Sequence, residues 1–312
     1  MGTLLSIIYI IAGIALVVWG ADRFTDGATS FAANKKVPPI VIGLTIVAFG
    51  TSAPELFVSA VSALRGQTGM AVGNIIGSNI FNTLLIVGLS AVVMPIMVGK
   101  NSVIKDIPFT LIASVLLVAL INDGEISRID SFILLAFLII FLIYNFRFAR
   151  KNRDTQNKSE IKHISMNKCV LLILLGLVCL IVGSNIFVIG ATNVAGILGV
   201  SDAVIGLTIV AGGTSLPELA TSIIAAKKGQ SALAIGNVIG SNVFNILGIL
   251  GITGLICPMQ TSGLTIVDSI VLLASIIVLL IMSRTSYKIS RKEGAILLLI
   301  FIAYMSWIVY NC

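Results

Sequence analysis

Two glutamates interrupt an otherwise apolar chain. Glu55 and Glu218 each follow a proline, Pro54 and Pro217, inside long hydrophobic runs. An ionised carboxylate within a bilayer costs at least ~2.5–3.5 kcal/mol, so two of them in matched positions call for positive charge beside them. Thr51 and Ser52 precede the first acid, and Thr214 and Ser215 precede the second, each pair adding hydroxyl oxygens. No histidine or cysteine lies near either acid. A donor set of hard oxygens with two carboxylates suits calcium, and also sodium or magnesium, and disfavours zinc or copper. Each proline lacks an N–H and clashes with the carbonyl four residues back, at Gly50 and Gly213, so the helix breaks there. Carbonyls freed around Ala48, Phe49 and Ala211 then need partners where bulk water is absent, and a bound cation supplies one.

The surrounding sequence is written twice. VIGLTIVAFGTSAPEL at 41–56 returns as VIGLTIVAGGTSLPEL at 204–219, and residues 37–56 and 200–219 share 15 identities without a gap. A second pair, GNIIGSNIFN at 73–82 and GNVIGSNVFN at 236–245, keeps the same 163-residue offset. It adds the neutral oxygens of Ser78, Asn82, Ser241 and Asn245, with Asn74, Asn79, Asn237 and Asn242 alongside. Its Gly-x-x-x-Gly spacings let helices approach closely, which brings those oxygens toward the acids. The competing structural readings are protonated, hydrogen-bonded acids, ordinary proline kinks, and Ser and Asn side chains that only join helices. Asp22, Arg23 and Asp26 read as a local charge cluster, and Asp268 as interfacial.

Composition defines the setting. The 312 residues are 57% hydrophobic and 11% charged, with mean hydropathy +1.10, against about 25% charged in soluble domains. Apolar runs long enough to span a bilayer fall at about 3–33, 38–64, 70–95, 104–122, 129–148, 169–196, 200–226, 232–257, 264–283 and 293–311. The opening MGTLLS has no basic start, so the first run reads as a retained helix. Basic residues orient the chain, because cytoplasmic loops carry the excess of Lys and Arg. With both termini outside the cell membrane, inner loops hold 17 of the 20 basic residues and outer loops hold Arg65 and Arg128. The net charge of +7 is thus a topology signal. Scattered over five loops, it makes no nucleic-acid surface. The four cysteines form no CxxC pair and read as packing residues.

Each half holds five spans, an odd number, so the second half enters the membrane in the opposite sense. The expected fold is an all-α polytopic membrane protein with ten transmembrane helices in two inverted five-helix repeats and broken helices at the midplane. Residues 1–148 form the first repeat, 149–168 a basic cytoplasmic linker, and 169–312 the second repeat. Inverted repeats place substrate at the midplane between their halves, and a monomer suffices for that site. The oligomeric state stays open. Two ionised glutamates without a cation leave a double negative charge in low dielectric. Calcium, two sodium ions or two protons cancel it, so only a loaded site moves between the membrane faces. The long first and sixth spans are the natural sliding pair.

The paired GTSAPEL and GTSLPEL, with the paired GNxxGSNxFN, resemble the alpha repeats of the calcium/cation antiporter superfamily, most closely its prokaryotic sodium/calcium exchangers. The resemblance covers nearly the whole chain. It implies that Glu55 and Glu218 ligate calcium and help bind sodium, and that Thr51 and Thr214 contribute backbone carbonyls. It further implies that Ser52 and Ser215, with the carbonyls of Ala48 and Ala211, line outer sodium sites, and that Ser78, Asn82, Ser241 and Asn245 complete the centre. The implied activity is exchange of calcium for sodium, with those ions as cargo and no cofactor. Some relatives, including potassium-dependent exchangers, have an aspartate at the position of Asn245, so the neutral pair here argues against potassium cotransport. A proton/calcium antiporter uses the same ligands and remains the near alternative. An intramembrane enzyme would need a nucleophile–base constellation or an HExxH motif, which the sequence lacks. A cation channel would more naturally take rings of residues from several subunits.

Overall fold

The structure is a computed structural model that describes residues 2–151, 164–199, 209, 211–261 and 263–311. Long helices dominate it: α1 (Thr3–Lys35), α2 (Pro39–Thr51), α3 (Ala53–Leu64), α4 (Thr68–Val93), α5 (Ser102–Asp123), α6 (Arg128–Lys151), α7 (Met166–Ile197), α8 (Ala211–Thr214), α9 (Leu216–Lys227), α10 (Ser231–Ile256), α11 (Ile266–Ser286) and α12 (Arg291–Asn311). Eight of these are long and apolar enough to cross a membrane. The α2–α3 pair makes a ninth, bent by 45°. The span expected at 200–226 is represented by α8 and α9, its residues 200–208 and 210 lying outside the described residues, as do 152–163 of the linker.

The break between α2 and α3 follows from local chemistry. Ser52 leaves helical geometry at φ −82°, ψ 9°, immediately before Ala53 and Pro54 open the next helix. Proline is tolerated in a first turn because that N–H would be unpaired in any case. Ser215 adopts φ −85°, ψ 4° before Leu216 and Pro217, so the same residues in the same order produce the same break. The turns that follow also match. Gly66 and Gly229 take positive φ of 78° and 71°. The next N–H in each case, from Gln67 and Gln230, reaches back to Ser62 and Ala225 at 2.8 Å. This is the glycine-terminated helix end expected where only Gly tolerates a left-handed residue.

The central helices are α4 and α10, with 72% and 78% of their apolar windows buried, against 17–33% for the other six long spans. Each contains a wide π-helical turn that begins with the last two residues of its Asn-rich motif, at Phe81–Ile86 and Phe244–Ile249. Such turns cluster at functional sites because they loosen the backbone ladder. On the outer helices, large apolar side chains such as Leu4, Ile11, Phe132, Ile139, Leu171 and Leu299 stay exposed, which is a surface for lipid rather than water.

Two short strand pairs tie the loops together. Ile96–Met97 pairs with Lys288–Ile289, and Glu125–Ile126 pairs with Met259–Gln260, both antiparallel. Shifting the first pairing by the repeat offset gives the second. The matched helices α1 and α7 pack against each other in opposite directions: Gly13 faces Gly183 and Phe187, while Gly27 faces Cys169 and Ile173. A Cβ at Gly20 would lie 2.9 Å from the Gly176 carbonyl, and one at Gly176 would lie 2.7 Å from that of Gly20. Glycines at these positions let the two backbones touch. The first and sixth spans are therefore joined to one another by a smooth seam.

The expected charge cluster on α1 is present and reaches further than its sequence neighbours: Arg23 lies 3.9 Å from Asp22, and Lys228, at the end of α9, bridges Asp22 and Asp26 at 2.7 and 2.6 Å. Asp268, in the first turn of α11, is buried against the protein, capping that helix through Thr265 and accepting the Tyr304 hydroxyl at 2.7 Å.

Candidate metal centre

The break positions bring the two halves together by exchange. Ser52 donates to Glu218 Oε1 at 2.9 Å, and Ser215 donates to Glu55 Oε1 at 3.0 Å. Each carboxylate is thus held by the serine of the opposite repeat. Pro54 with Glu55, and Pro217 with Glu218, lie in the first turn of the helix that follows each break. Ser241 adds a long contact to Glu218 Oε1 at 3.5 Å, and Ser78 lies 3.4 Å from the Ser215 hydroxyl. Both glutamates have no solvent exposure, and among the described residues neither is paired with a basic side chain.

A second ring of contacts holds that geometry. Thr51 directs its hydroxyl to Val47 O at 3.1 Å and to Asn237 Oδ1 at 3.1 Å. Asn237 in turn donates to the Glu218 carbonyl at 3.3 Å and to Ser222 at 3.0 Å. In the first half, Asn74 donates to Ser59, the counterpart of Ser222, at 3.2 Å. The two Gly-x-x-x-Gly motifs differ in what the structure lets them meet. A Cβ on Gly236 or Gly240 would press on the backbone of Ile40 or Leu44 in the α2 segment. The segment that would correspond for Gly73 and Gly77 lies largely outside the described residues.

Every residue of the expected site can be placed. Thr51, Ser52, Glu55, Ser78, Asn82, Thr214, Ser215, Glu218, Ser241 and Asn245 are all buried. Ala48 and Ala211 begin the short helical stretches Ala48–Thr51 and Ala211–Thr214. One expectation about them needs correcting: the Ala48 carbonyl is not freed by the break. It accepts the Ser52 N–H at 3.0 Å and the Thr51 hydroxyl at 3.4 Å, because the helix runs on to Ser52 before it turns.

What the arrangement can do follows from the oxygens it leaves unmet. Buried acceptors without a donor are rare and costly. Here, among the described residues, Glu55 Oε2, Glu218 Oε2, Asn79 Oδ1, Asn82 Oδ1 and both polar atoms of Asn245 have no partner. Carboxylate and amide oxygens left open together fit a hard cation, with calcium or sodium the natural occupants. The sequence motifs pointed to most of these residues. Thr83 was missed: it lies one position beyond the second motif and bonds into the centre, with Asn242 donating to its hydroxyl at 2.8 Å. The available signal was a mismatch, since position 246 is isoleucine in the other copy.

The family model described as sodium/calcium exchanger protein matches the chain twice, at residues 5–147 and 168–310. The putative antiporter CaxA of Alkalimonas amylolytica is 39% identical over 96% of this chain and 98% of its own length. The sodium/calcium exchanger MaX1 of Methanosarcina acetivorans is 31% identical, covering 98% of this chain and 99% of its own. The fold superposes on the sodium-calcium exchanger NCX_Mj soaked with sodium and strontium, with a TM-score of 0.86 at 35% identity, over 98% of this chain and 99% of that one. Matched in both halves and from end to end, the chain belongs to the sodium/calcium exchanger family, and is a membrane transporter of the cation/calcium antiporter kind.

Proposed function

We propose that this chain exchanges calcium for sodium across the cell membrane by alternating access, with Glu55 and Glu218 as the central ligands of the transported ions. The observation that carries the reading is the pair of fully buried carboxylates, each held on one oxygen by the other half's serine and open on the other. Such a pair is tolerable in low dielectric only when its charge is cancelled. One calcium or two sodium ions cancel it, so the empty doubly charged state resists occlusion and leak is suppressed. Thr51, Thr214, Ser52, Ser215, Ser78, Ser241, Asn82 and Asn245 supply further oxygens, with the carbonyl of Ala211.

In this reading the chain is two inverted five-helix repeats, 1–148 and 169–312, joined by an inner linker at 149–168. Both termini lie outside, and one copy of the chain holds the complete site. The glycine seam between α1 and α7 supports a paired slide of those two helices past the centre, because glycines at the contact present little side-chain relief to resist it. The test is calcium flux in vesicles containing the purified protein. An outward sodium gradient without a pH gradient should drive calcium uptake. Uptake that responds only to a pH gradient would replace sodium with protons in the same site, and conductance in unitary steps would replace the antiporter with a channel.

A further inference from the structure

A buried chain of amide and hydroxyl groups crosses between the two central helices. Asn82 Nδ2 donates to Asn242 Oδ1 at 3.1 Å. Asn242 Nδ2 donates to Thr83 Oγ1 at 2.8 Å. Thr83 donates to the Asn79 carbonyl at 2.9 Å. All of these side chains are at most 1% exposed. The chain uses the nitrogen end of Asn82 and leaves its oxygen without a partner.

The opposite half cannot build the same chain. Shifted by the repeat offset, Asn82 becomes Asn245, Asn242 corresponds to Asn79, and Thr83 becomes Ile246. Isoleucine has no hydroxyl to anchor the middle amide. Asn79 instead turns its Nδ2 onto its own helix, at Ile75 O, 2.7 Å away. The bond that symmetry would require runs from Asn245 Nδ2 to Asn79 Oδ1. Among the described residues both of those atoms are unpartnered, and so is Asn245 Oδ1.

We propose that Thr83 is a positioning residue that, through Asn242, fixes Asn82 as an oxygen ligand, while Ile246 leaves Asn245 free to reorient, so that the two halves of the centre are chemically unequal. This rests on the cation-exchange reading above. Asn82 cannot turn over alone, since that would set its oxygen against Asn242 Oδ1. Turning both amides requires Thr83 to abandon the Asn79 carbonyl, which would then lie buried with one bond fewer. Asn245 meets no such barrier. A cation that takes six to eight oxygens, as calcium does, gains most from a pre-set amide oxygen, and sodium gains less.

The test is calorimetric titration of the purified full-length protein with calcium, and separately with sodium. Thr83→Val should weaken calcium binding about tenfold, the scale of one lost buried hydrogen bond. It should also lower the ratio of calcium to sodium affinity. Thr83→Ser, which keeps the hydroxyl, should stay within about twofold of wild type. Ile246→Thr supplies the missing anchor and should tighten calcium binding about threefold, a gain that a merely structural disturbance would not give. Unchanged calcium affinity in Thr83→Val, equal losses in Thr83→Val and Thr83→Ser, or no gain in Ile246→Thr would each overturn the assignment of Thr83 alone. Absence of calcium binding by the wild-type protein would instead overturn the exchange reading, and this one with it.

Discussion

The two halves of this protein meet at the same one-residue serine break, at Ser52 and Ser215, yet the surroundings of that break differ. At the centre the serine–carboxylate bonds are matched: Ser52 holds Glu218, and Ser215 holds Glu55, at 2.9 and 3.0 Å. One helical turn away the match ends, because Thr83 faces Asn242 while its counterpart is Ile246. At the Lys228 end of α9 it ends again. Lys228 bridges Asp22 and Asp26, whereas the corresponding positions Arg65, Asn185 and Ile189 offer no such pair of acids. The pairing of serine with carboxylate is kept in both halves, while the contacts of Thr83 and Lys228 belong to one half only. A duplicated carrier needs the first for binding and the second for any preference between its two faces.

The most severe way to break the comparison is at its matched core. Glu55→Gln and Glu218→Gln should each weaken calcium binding by more than about a hundredfold, since a charged ligand contributes well beyond a neutral hydrogen bond. Thermal unfolding should change little, because a neutral amide is easier to bury than a lone carboxylate. Calcium titration checks the first, and melting in detergent the second. Unequal losses between the two variants would show that the acids are not equivalent.

The glycine seam is the next test. Gly20→Val and its partner Gly183→Val each force a side chain onto backbone less than 3.0 Å from the new Cβ. Each should cost about 1–3 kcal/mol of stability and slow exchange more than it weakens binding. Transport rates set against equilibrium calcium affinity separate the two effects. Removing single serines probes a smaller contribution: Ser52→Ala and Ser215→Ala should each lower calcium affinity about tenfold, in line with one bond to a charged acceptor, and by similar amounts if the exchange is reciprocal.

The ion pairs of Lys228 give the smallest effect. Lys228→Ala should cost no more than about 1 kcal/mol in stability, because the lysine and both acids are partly exposed and screened by solvent. Its signature is directional. It should alter the ratio of calcium affinities measured from the two membrane faces, whereas Arg65→Ala, which lacks a matched pair of acids, should not.

Much of this was legible before any coordinates. The prolines at 54 and 217, the glycines behind them and the repeated motif dictated two helix breaks, and the backbone angles at Ser52 and Ser215 agree to within a few degrees. Span limits followed from hydropathy because the bilayer imposes a length. The Ala48 carbonyl was misjudged because a proline's clash says which hydrogen bond is lost, while the serine N–H that takes up a neighbouring carbonyl depends on where the turn lies. Thr83 was invisible because motif reading rewards identity between copies, and its importance lies in a difference.

What the sequence determined by itself is local: residue types, breaks, spans and the fact of duplication, all properties of neighbours along the chain. Only the tertiary structure decided that each serine serves the opposite glutamate, that Asn82 is clamped while Asn245 is not, and that Lys228 reaches across to α1. The physical reason is range. Those contacts join residues 160 or more positions apart, and their geometry depends on how packed helices cross, which no spacing within a single helix encodes.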